Sequence, residues 1–186
     1  YELTIEERTA FGKRAKRGDL IPMSDDDQAD LYELTQKTCE THGLPAYEVS
    51  NHARSATYES RHNHIYWASG DWIGVGPGAH GRLTRDDKRL ATEAARRPSD
   101  YIENAQQSSM TLSNEDTARE FLAMALRPTL GLSLERFNAL FDQEAAPETI
   151  ANLVANGQAV LDQSRLELTS QGRLLADYIA SLLAPY

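Results

Sequence analysis

Cysteine is nearly absent from this sequence, which contains a single one, Cys39, among 186 residues. A disulfide framework within the chain is therefore excluded. The sequence also has no apolar run of membrane-spanning length and no low-complexity tract. These absences predict a soluble, cytoplasmic protein with one ordinary domain or two small ones.

Positive charge is in short supply, because 19 Lys and Arg residues stand against 28 Asp and Glu residues, for a net charge of −9. A nucleic-acid partner is disfavoured, since neutralising phosphates requires clustered basic residues. The stretch from 54 to 97 is the exception, with eight basic and five acidic residues. An anionic ligand would be repelled least there, although scattered surface arginines explain the same pattern equally well.

The motifs of several enzyme classes are missing as well. There is no G-x-S-x-G nucleophile elbow, no H-E-x-x-H zinc motif and no Walker A loop. Cys39 falls inside a predicted helix, where we expect a small buried hydrophobic residue rather than a nucleophile. No catalytic residue is assigned from the sequence.

The first half of the chain predicts alternating strands and helices. Ser24 and the three aspartates after it form a capping box that begins a helix, and Gly43 supplies its C-terminal stop. The order strand, helix, strand is typical of a parallel sheet. A β-hairpin is predicted around Asp86-Asp87. The predicted strands are 1–6, 46–50 and 71–75.

After Pro98 the apolar spacing becomes helical. A second capping box, Ser113 to Asp116, begins an amphipathic helix. Further helices, a hairpin within 161–168 and a last helix over 174–183 together predict a winged-helix-like module. Residues 114–186 carry ten acidic and five basic residues, so we expect a packing or lid role rather than DNA binding.

The glycine-rich run from Gly74 to Gly81 is the most concentrated motif. It fits G-x-G-x-x-A, but the dinucleotide fingerprint needs a helix to begin there, and a charged hairpin is predicted instead. The remaining interpretations are a close approach of bare backbone to a ligand at the end of a strand, or a structural tight turn.

A second motif is His62-Asn63-His64-Ile65-Tyr66-Trp67. Imidazole is a good iron ligand, and Tyr and Trp offer flat apolar area to a macrocycle. On a strand, His62 and His64 would share a side and form half of a zinc site, with Cys39 and His42 as further ligands. Histidines hydrogen-bonded in a polar loop are the plain alternative.

Several runs, in this order along the chain, resemble the second half of HemW proteins, which belong to the coproporphyrinogen oxidase branch of the radical S-adenosylmethionine (SAM) enzymes. The resemblance implies α/β plus α architecture. The C-terminal part of a partial (β/α)6 barrel would occupy 1–97, and a helical, winged-helix-like domain would occupy 98–186. The matching runs are 1–6, 47–54, 60–67, 70–82, 126–132 and 166–174.

The resemblance also implies cofactors. Full-length members hold a [4Fe–4S] cluster on a C-x-x-x-C-x-x-C loop, and SAM binds the open iron of the cluster. This sequence lacks that loop, so we expect that residues precede it in the intact protein and that the fragment alone neither holds the cluster nor cleaves SAM. Thr4 and His80 match positions that line the SAM site. His62 begins a match to H-N-x-x-Y-W, which is linked to heme binding, and is the candidate axial ligand.

Three functions follow in order. The first is a heme chaperone that binds heme and passes it to acceptor proteins. The second is an oxygen-independent coproporphyrinogen III oxidase, which converts propionates to vinyls through a SAM-derived radical. The third is a plain helical interaction domain. Because a barrel without its first strands has an open edge, we expect the fragment to self-associate or to be marginally stable.

Overall fold

A computed structural model describes residues 5–104, 107–141 and 146–184. The chain forms two compact units, Tyr1–Glu59 and Ser60–Tyr186. The domain boundary predicted after residue 97 falls inside the second unit. That boundary concerns the division between the barrel and the C-terminal domain, and it stays a prediction.

The first unit contains helices α1 (Ala10–Lys16) and α2 (Asp25–Thr41). The predicted limits of α2 are confirmed, because the Ser24 hydroxyl accepts a hydrogen bond from the Asp27 amide at 3.2 Å and Gly43 adopts a φ of +73°. No residue of α2 is buried within the described structure, and Cys39 is only half-buried. Cys39 is therefore less buried than the sequence predicted.

Two of the predicted strands differ in the structure. Within 46–50, Ala46 makes an isolated antiparallel bridge to His52. Within 71–75, Trp72 makes a single antiparallel bridge to Arg82. The alternating pattern was misleading, because alternation shows which face packs but does not supply a neighbouring strand. Residues 1–4 of the first predicted strand, with the candidate SAM contact Thr4, lie outside the described residues.

The second unit begins with α3 (Arg61–Trp67) and continues into a three-stranded sheet of β1 (His80–Arg85), β2 (Lys88–Glu93) and β3 (Ser108–Thr111), in the order β1-β2-β3. α4 (Pro98–Glu103) lies between β2 and β3. The hairpin around Asp86-Asp87 is confirmed. All strand pairs between described residues are antiparallel, so the predicted parallel pairing does not occur in this part of the chain.

The remaining elements of the second unit are short helices around a second sheet. This sheet has the order β4-β6-β5, with all pairs antiparallel. The second capping box is confirmed, because the Ser113 hydroxyl accepts from the Asp116 amide at 3.0 Å. The elements are α5 (Asn114–Ala125), β4 (Leu132–Ser133), α6 (Leu134–Phe141), α7 (Pro147–Ala155), β5 (Ala159–Asp162), β6 (Arg165–Leu168), α8 (Ser170–Arg173) and α9 (Ala176–Leu183).

The hydrophobic core of this unit is centred on α5 and α9. Leu122 and Ile179 are fully buried, and the rings of Phe121, Phe137 and Phe141 form a cluster with centroids 5.1 to 6.3 Å apart. The predicted last helix, 174–183, begins two residues later, at Ala176, and Leu174 and Leu175 before it are 39% and 40% exposed. No helix in the described ranges combines the length and the apolar character that a membrane span requires.

The β1–β2 turn gives a test of the fold. Asp86 and Asp87 have φ values of +50° and +57°, a left-handed pair that favours glycine at the second position. We expect Asp87→Gly to raise the free energy of unfolding by about 0.5 kcal/mol, because it removes the Cβ strain of this conformation. Lys88→Gly, on the adjacent strand, should instead lower it. Urea unfolding measures the free energy of unfolding of both variants. An equal decrease in the two variants would contradict the left-handed turn.

Candidate functional site

The H-N-x-x-Y-W motif forms a helix, so the strand on which His62 and His64 would have shared a side does not occur. The Ser60 hydroxyl caps α3 by accepting from the Asn63 amide at 3.2 Å. Since helix neighbours are three or four residues apart, His62 shares a face with Tyr66 and not with His64. Within the described ranges, no group of three or more His, Cys, Asp and Glu side chains is placed to hold a metal ion.

Three rings follow one another from α3 towards the sheet. The His62 and Tyr66 rings meet edge to face with centroids 4.7 Å apart, and the Tyr66 and Trp72 centroids are 4.4 Å apart. His62 is exposed at one end, while Tyr66 and Trp72 are half-buried. We call His62, Tyr66 and Trp72 the aromatic row. It presents an imidazole beside flat apolar surface.

Trp72 is fixed against β1 by backbone and side-chain hydrogen bonds. Its amide donates to the Arg82 carbonyl at 2.8 Å, and its indole Nε1 donates to the His80 carbonyl at 3.2 Å. The close approach needs glycine, because a Cβ added to Gly74 would lie 2.3 Å from the His80 oxygen. The glycines of this motif therefore allow residues 71–75, the Trp72 segment, to lie against β1.

Two guanidinium groups lie over the Trp72 ring, Arg82 at 5.9 Å and Arg89 at 5.6 Å from its centroid. Such contacts stabilise a cation beside an indole. Each guanidinium also pairs with a carboxylate: Arg82 Nε donates to Glu120 Oε2 at 2.9 Å, and Arg89 Nη1 donates to Asp71 Oδ1 at 2.6 Å. The hydrogen bond to Glu120 raises the pKa of Arg82, so this side chain stays charged.

Trp67 gives α3 a second contact, separate from the aromatic row. The Arg127 guanidinium, just beyond α5, lies 5.1 Å from the Trp67 ring centroid. The indole Nε1 of Trp67 is buried and has no hydrogen-bond partner among the described residues. The motif thus makes two separate contacts. His62 and Tyr66 belong to the aromatic row, and Trp67 contacts Arg127.

The glycine-rich loop is a tight turn. Gly76 and Gly78 have φ values of +109° and +69°, and the Ala79 amide donates to the Gly76 carbonyl at 3.2 Å. His80 then begins β1, so no helix follows and the dinucleotide interpretation fails, as the sequence context predicted. His80 is exposed, and its assignment to SAM stays a prediction.

Sequence reasoning missed most of the site around His62. It named His62 and Tyr66, but it did not find the arginines over Trp72 or their carboxylate partners. The spacing of H-N-x-x-Y-W was an available signal, since its members are one, four and five residues from His62 and would share one side of a helix. Nothing in the sequence indicated that Glu120 would pair with Arg82.

Comparisons with known proteins place this chain in a family. The model of the HemN C-terminal domain matches residues 112–175. A mitochondrial radical S-adenosyl methionine domain-containing protein 1 from Dictyostelium discoideum is 32% identical, over 100% of this chain and 49% of that protein. The heme chaperone HemW of Mycobacterium tuberculosis H37Rv is 34% identical, over 98% of this chain and 46% of that protein.

A solved structure, the coproporphyrinogen III oxidase HemN from Escherichia coli, has a TM-score of 0.65 at 16% identity, covering 95% of this chain and 45% of that one. This likeness confirms the mixed α/β fold. The domain match and the sequence identities together define the HemN-type C-terminal region of radical SAM proteins. The chain belongs to the HemW-like radical SAM family and corresponds to the C-terminal portion of its members. It spans about half the length of these relatives.

The Asp71 carboxylate gives a pH-dependent test of the site. Its pKa is lowered from the ordinary value of 3.8, first by the hydrogen bond from the Thr84 amide and then by Thr84 Oγ1 and Arg89, against opposing desolvation. A lowered folded-state pKa stabilises the fold above the unfolded value, and this contribution is lost as pH falls through the folded value.

We therefore expect Asp71→Asn to be less stable than the unmodified chain at pH 7. The difference should diminish as pH falls below 3.8. Urea unfolding across this range measures the effect, with Asp162→Asn as the control, because Asp162 has no ion pair among the described residues. A difference that stays constant with pH would contradict the assignment.

Proposed function

We propose that this chain is the heme-binding portion of a cytoplasmic heme chaperone of the HemW type, with His62 as the axial ligand of the heme iron. The observation that carries the proposal is the exposed imidazole of His62 at the end of the aromatic row. No hydrogen bond engages this imidazole among the described residues, so its nitrogens are available to iron. Heme is the cargo here.

The surroundings of His62 fit a macrocycle. The edge-to-face contact with Tyr66 orients the imidazole, and a fixed ring plane favours one direction of iron ligation. The exposed side of the row supplies apolar area for the porphyrin face. Only the coordination bond between His62 and iron then forms on binding and breaks on release, and no covalent bond of heme changes, which suits a carrier that passes heme to acceptor proteins.

The cluster of the intact protein does not fit the residues of this chain. A [4Fe–4S] cluster is held by cysteine thiolates, and Cys39 is the single cysteine in the sequence. For SAM, we propose that His80, exposed at the start of β1, contacts the molecule together with Thr4 in the intact protein. This assignment rests on the family resemblance.

The oxidase is the second candidate, favoured by the likeness of fold to coproporphyrinogen III oxidase. The identity to that enzyme is 16%, against 34% to the M. tuberculosis heme chaperone. The closer sequence likeness favours the chaperone.

We also propose that the C-terminal elements form a winged-helix-like domain after the last part of a partial (β/α)6 barrel. The order α5, β4, α6, α7, β5, β6 and the sheet order β4-β6-β5 support the winged-helix assignment. The excess of acidic residues after 114 argues against DNA and favours a packing role.

The heme assignment is tested by titrating the chain with ferric heme and recording the Soret band. We expect His62→Ala to weaken binding by about ten-fold or more and to shift the band, because the ligand nitrogen is lost while Tyr66 remains. His80→Ala is the control, since we place His80 at SAM, and its heme spectrum should match that of the unmodified chain.

An unchanged spectrum for His62→Ala, together with a lost spectrum for His80→Ala, would reverse the two assignments. That result would also place the oxidase function first.

Self-association is tested through the outer face of the Trp72 segment. Ile73 and Val75 are 72% and 82% exposed and alternate with the packed Trp72 and Gly74. Exposed apolar surface of this kind promotes association. We expect sedimentation velocity to show concentration-dependent self-association that Ile73→Lys reduces and Ile102→Lys does not. Ile102 is 81% exposed, which makes it a matched control. A monodisperse, thermally stable monomer would contradict the proposal.

A further inference from the structure

We propose that Arg82 and Glu120 are positioning residues for the heme site, holding Trp72 and, through Tyr66, the imidazole of His62. This inference rests on the proposed function. It assigns to α5, a helix of the C-terminal region, a role in setting the geometry of a ligand on α3.

The first step is the ion pair itself. Arg82 and Glu120 are separated by 38 positions, and the guanidinium meets the carboxylate through both Nε and Nη2. Their side chains are 18% and 35% exposed. A two-pronged contact fixes the plane of the guanidinium as well as its position, which a single contact between point charges does not do.

The second step is the rigidity of the support. Glu120 lies on α5, whose Ala118, Phe121, Leu122 and Ala125 are all buried in the core. A close-packed core resists small displacements of its members. The carboxylate is therefore carried by a helix whose apolar face is packed in the core.

The third step is the transfer from Arg82 to the row. Arg82 contacts Trp72 twice, through its guanidinium over the indole ring and through the backbone bridge between the two residues. Trp72 in turn contacts Tyr66, and Tyr66 contacts His62. Each partner in this series is within ring-contact distance of the next. If the ion pair with Glu120 is removed, the Arg82 guanidinium no longer has a fixed position and no longer restrains the Trp72 indole.

Arg89 provides a second guanidinium over Trp72, but its ion pair and its contact with a backbone carbonyl are to residues close to Trp72 in the sequence. It pairs with Asp71, adjacent to Trp72 in sequence, and donates to the Gly70 carbonyl at 2.7 Å. These contacts hold Trp72 to the β1–β2–β3 sheet. The contacts of Arg82 differ because they connect the aromatic row to the buried helix α5.

The test uses the 186-residue chain and ferric heme as the probe. Glu120→Gln keeps the shape of the side chain and removes its charge. We expect heme affinity to fall about five-fold, in the range of a partly buried ion pair. The electron paramagnetic resonance signal of the bound ferric heme should broaden as the imidazole loses a single orientation. The matched control is Glu115→Gln on the same helix, which removes the i,i+4 pair with Arg119 and does not contact the row.

A double-mutant cycle separates positioning from a general loss of stability. Trp72→Leu removes the ring through which Arg82 acts, so Glu120→Gln should have little further effect in that background. Trp72→Phe keeps a ring and should retain more of the affinity than Trp72→Leu. Arg82→Lys keeps the charge but not the fork, and it provides a second variant should Glu120→Gln fold poorly.

The outcomes distinguish the two claims. If His62→Ala binds heme as the unmodified chain does, the proposed function is overturned. If binding depends on His62 but Glu120→Gln behaves like Glu115→Gln, the positioning role alone is overturned. Additive effects of Glu120→Gln and Trp72→Leu would overturn it too, since the carboxylate would then act by another route.

Discussion

The ion pair between Arg82 and Glu120 joins the two sheet-and-helix portions of the second unit. On one side lies the β1–β2–β3 sheet with Trp72 bridged to it, and on the other lies α5 with its buried apolar face. The Coulomb and hydrogen-bond energy of the pair is modest at this level of exposure. Its importance is geometric, because the fork fixes a guanidinium against an indole that in turn contacts the rest of the aromatic row.

Local features of the fold could be predicted from the sequence, and long-range ones could not. The cap at Ser24 and the turn at Asp86-Asp87 depend on side chains within four residues of each other, so their chemistry is visible in the sequence. β3 was missed because Ser108–Thr111 is mostly polar and each of its residues is exposed, and only its pairing with β2 makes it a strand. The segment 71–75 shows the converse. Its alternating pattern predicted a strand, but only a single β-bridge, from Trp72 to Arg82, forms there.

The candidate site follows the same division. His62 was identified from a motif, but the helix α3 was not predicted. The spacing of His62 and His64 was interpreted instead as one side of a strand. A capping serine at position 60 and ring partners four residues apart would have favoured the helix. Arg82 and Glu120 carried no signal, since any of 19 basic residues could pair with any of 28 acidic ones. The zinc alternative needed the strand and has no geometric basis on α3.

The central claim is that α3 presents His62 to heme iron beside the aromatic row. A crystal structure of the chain bound to ferric heme tests it most directly. The account predicts a bond from a ring nitrogen of His62 to iron, at about the 2 Å typical of metal–imidazole bonds, with the porphyrin against Tyr66. Iron bound to His64, His80 or Cys39 instead, with the His62 imidazole still exposed, would contradict it.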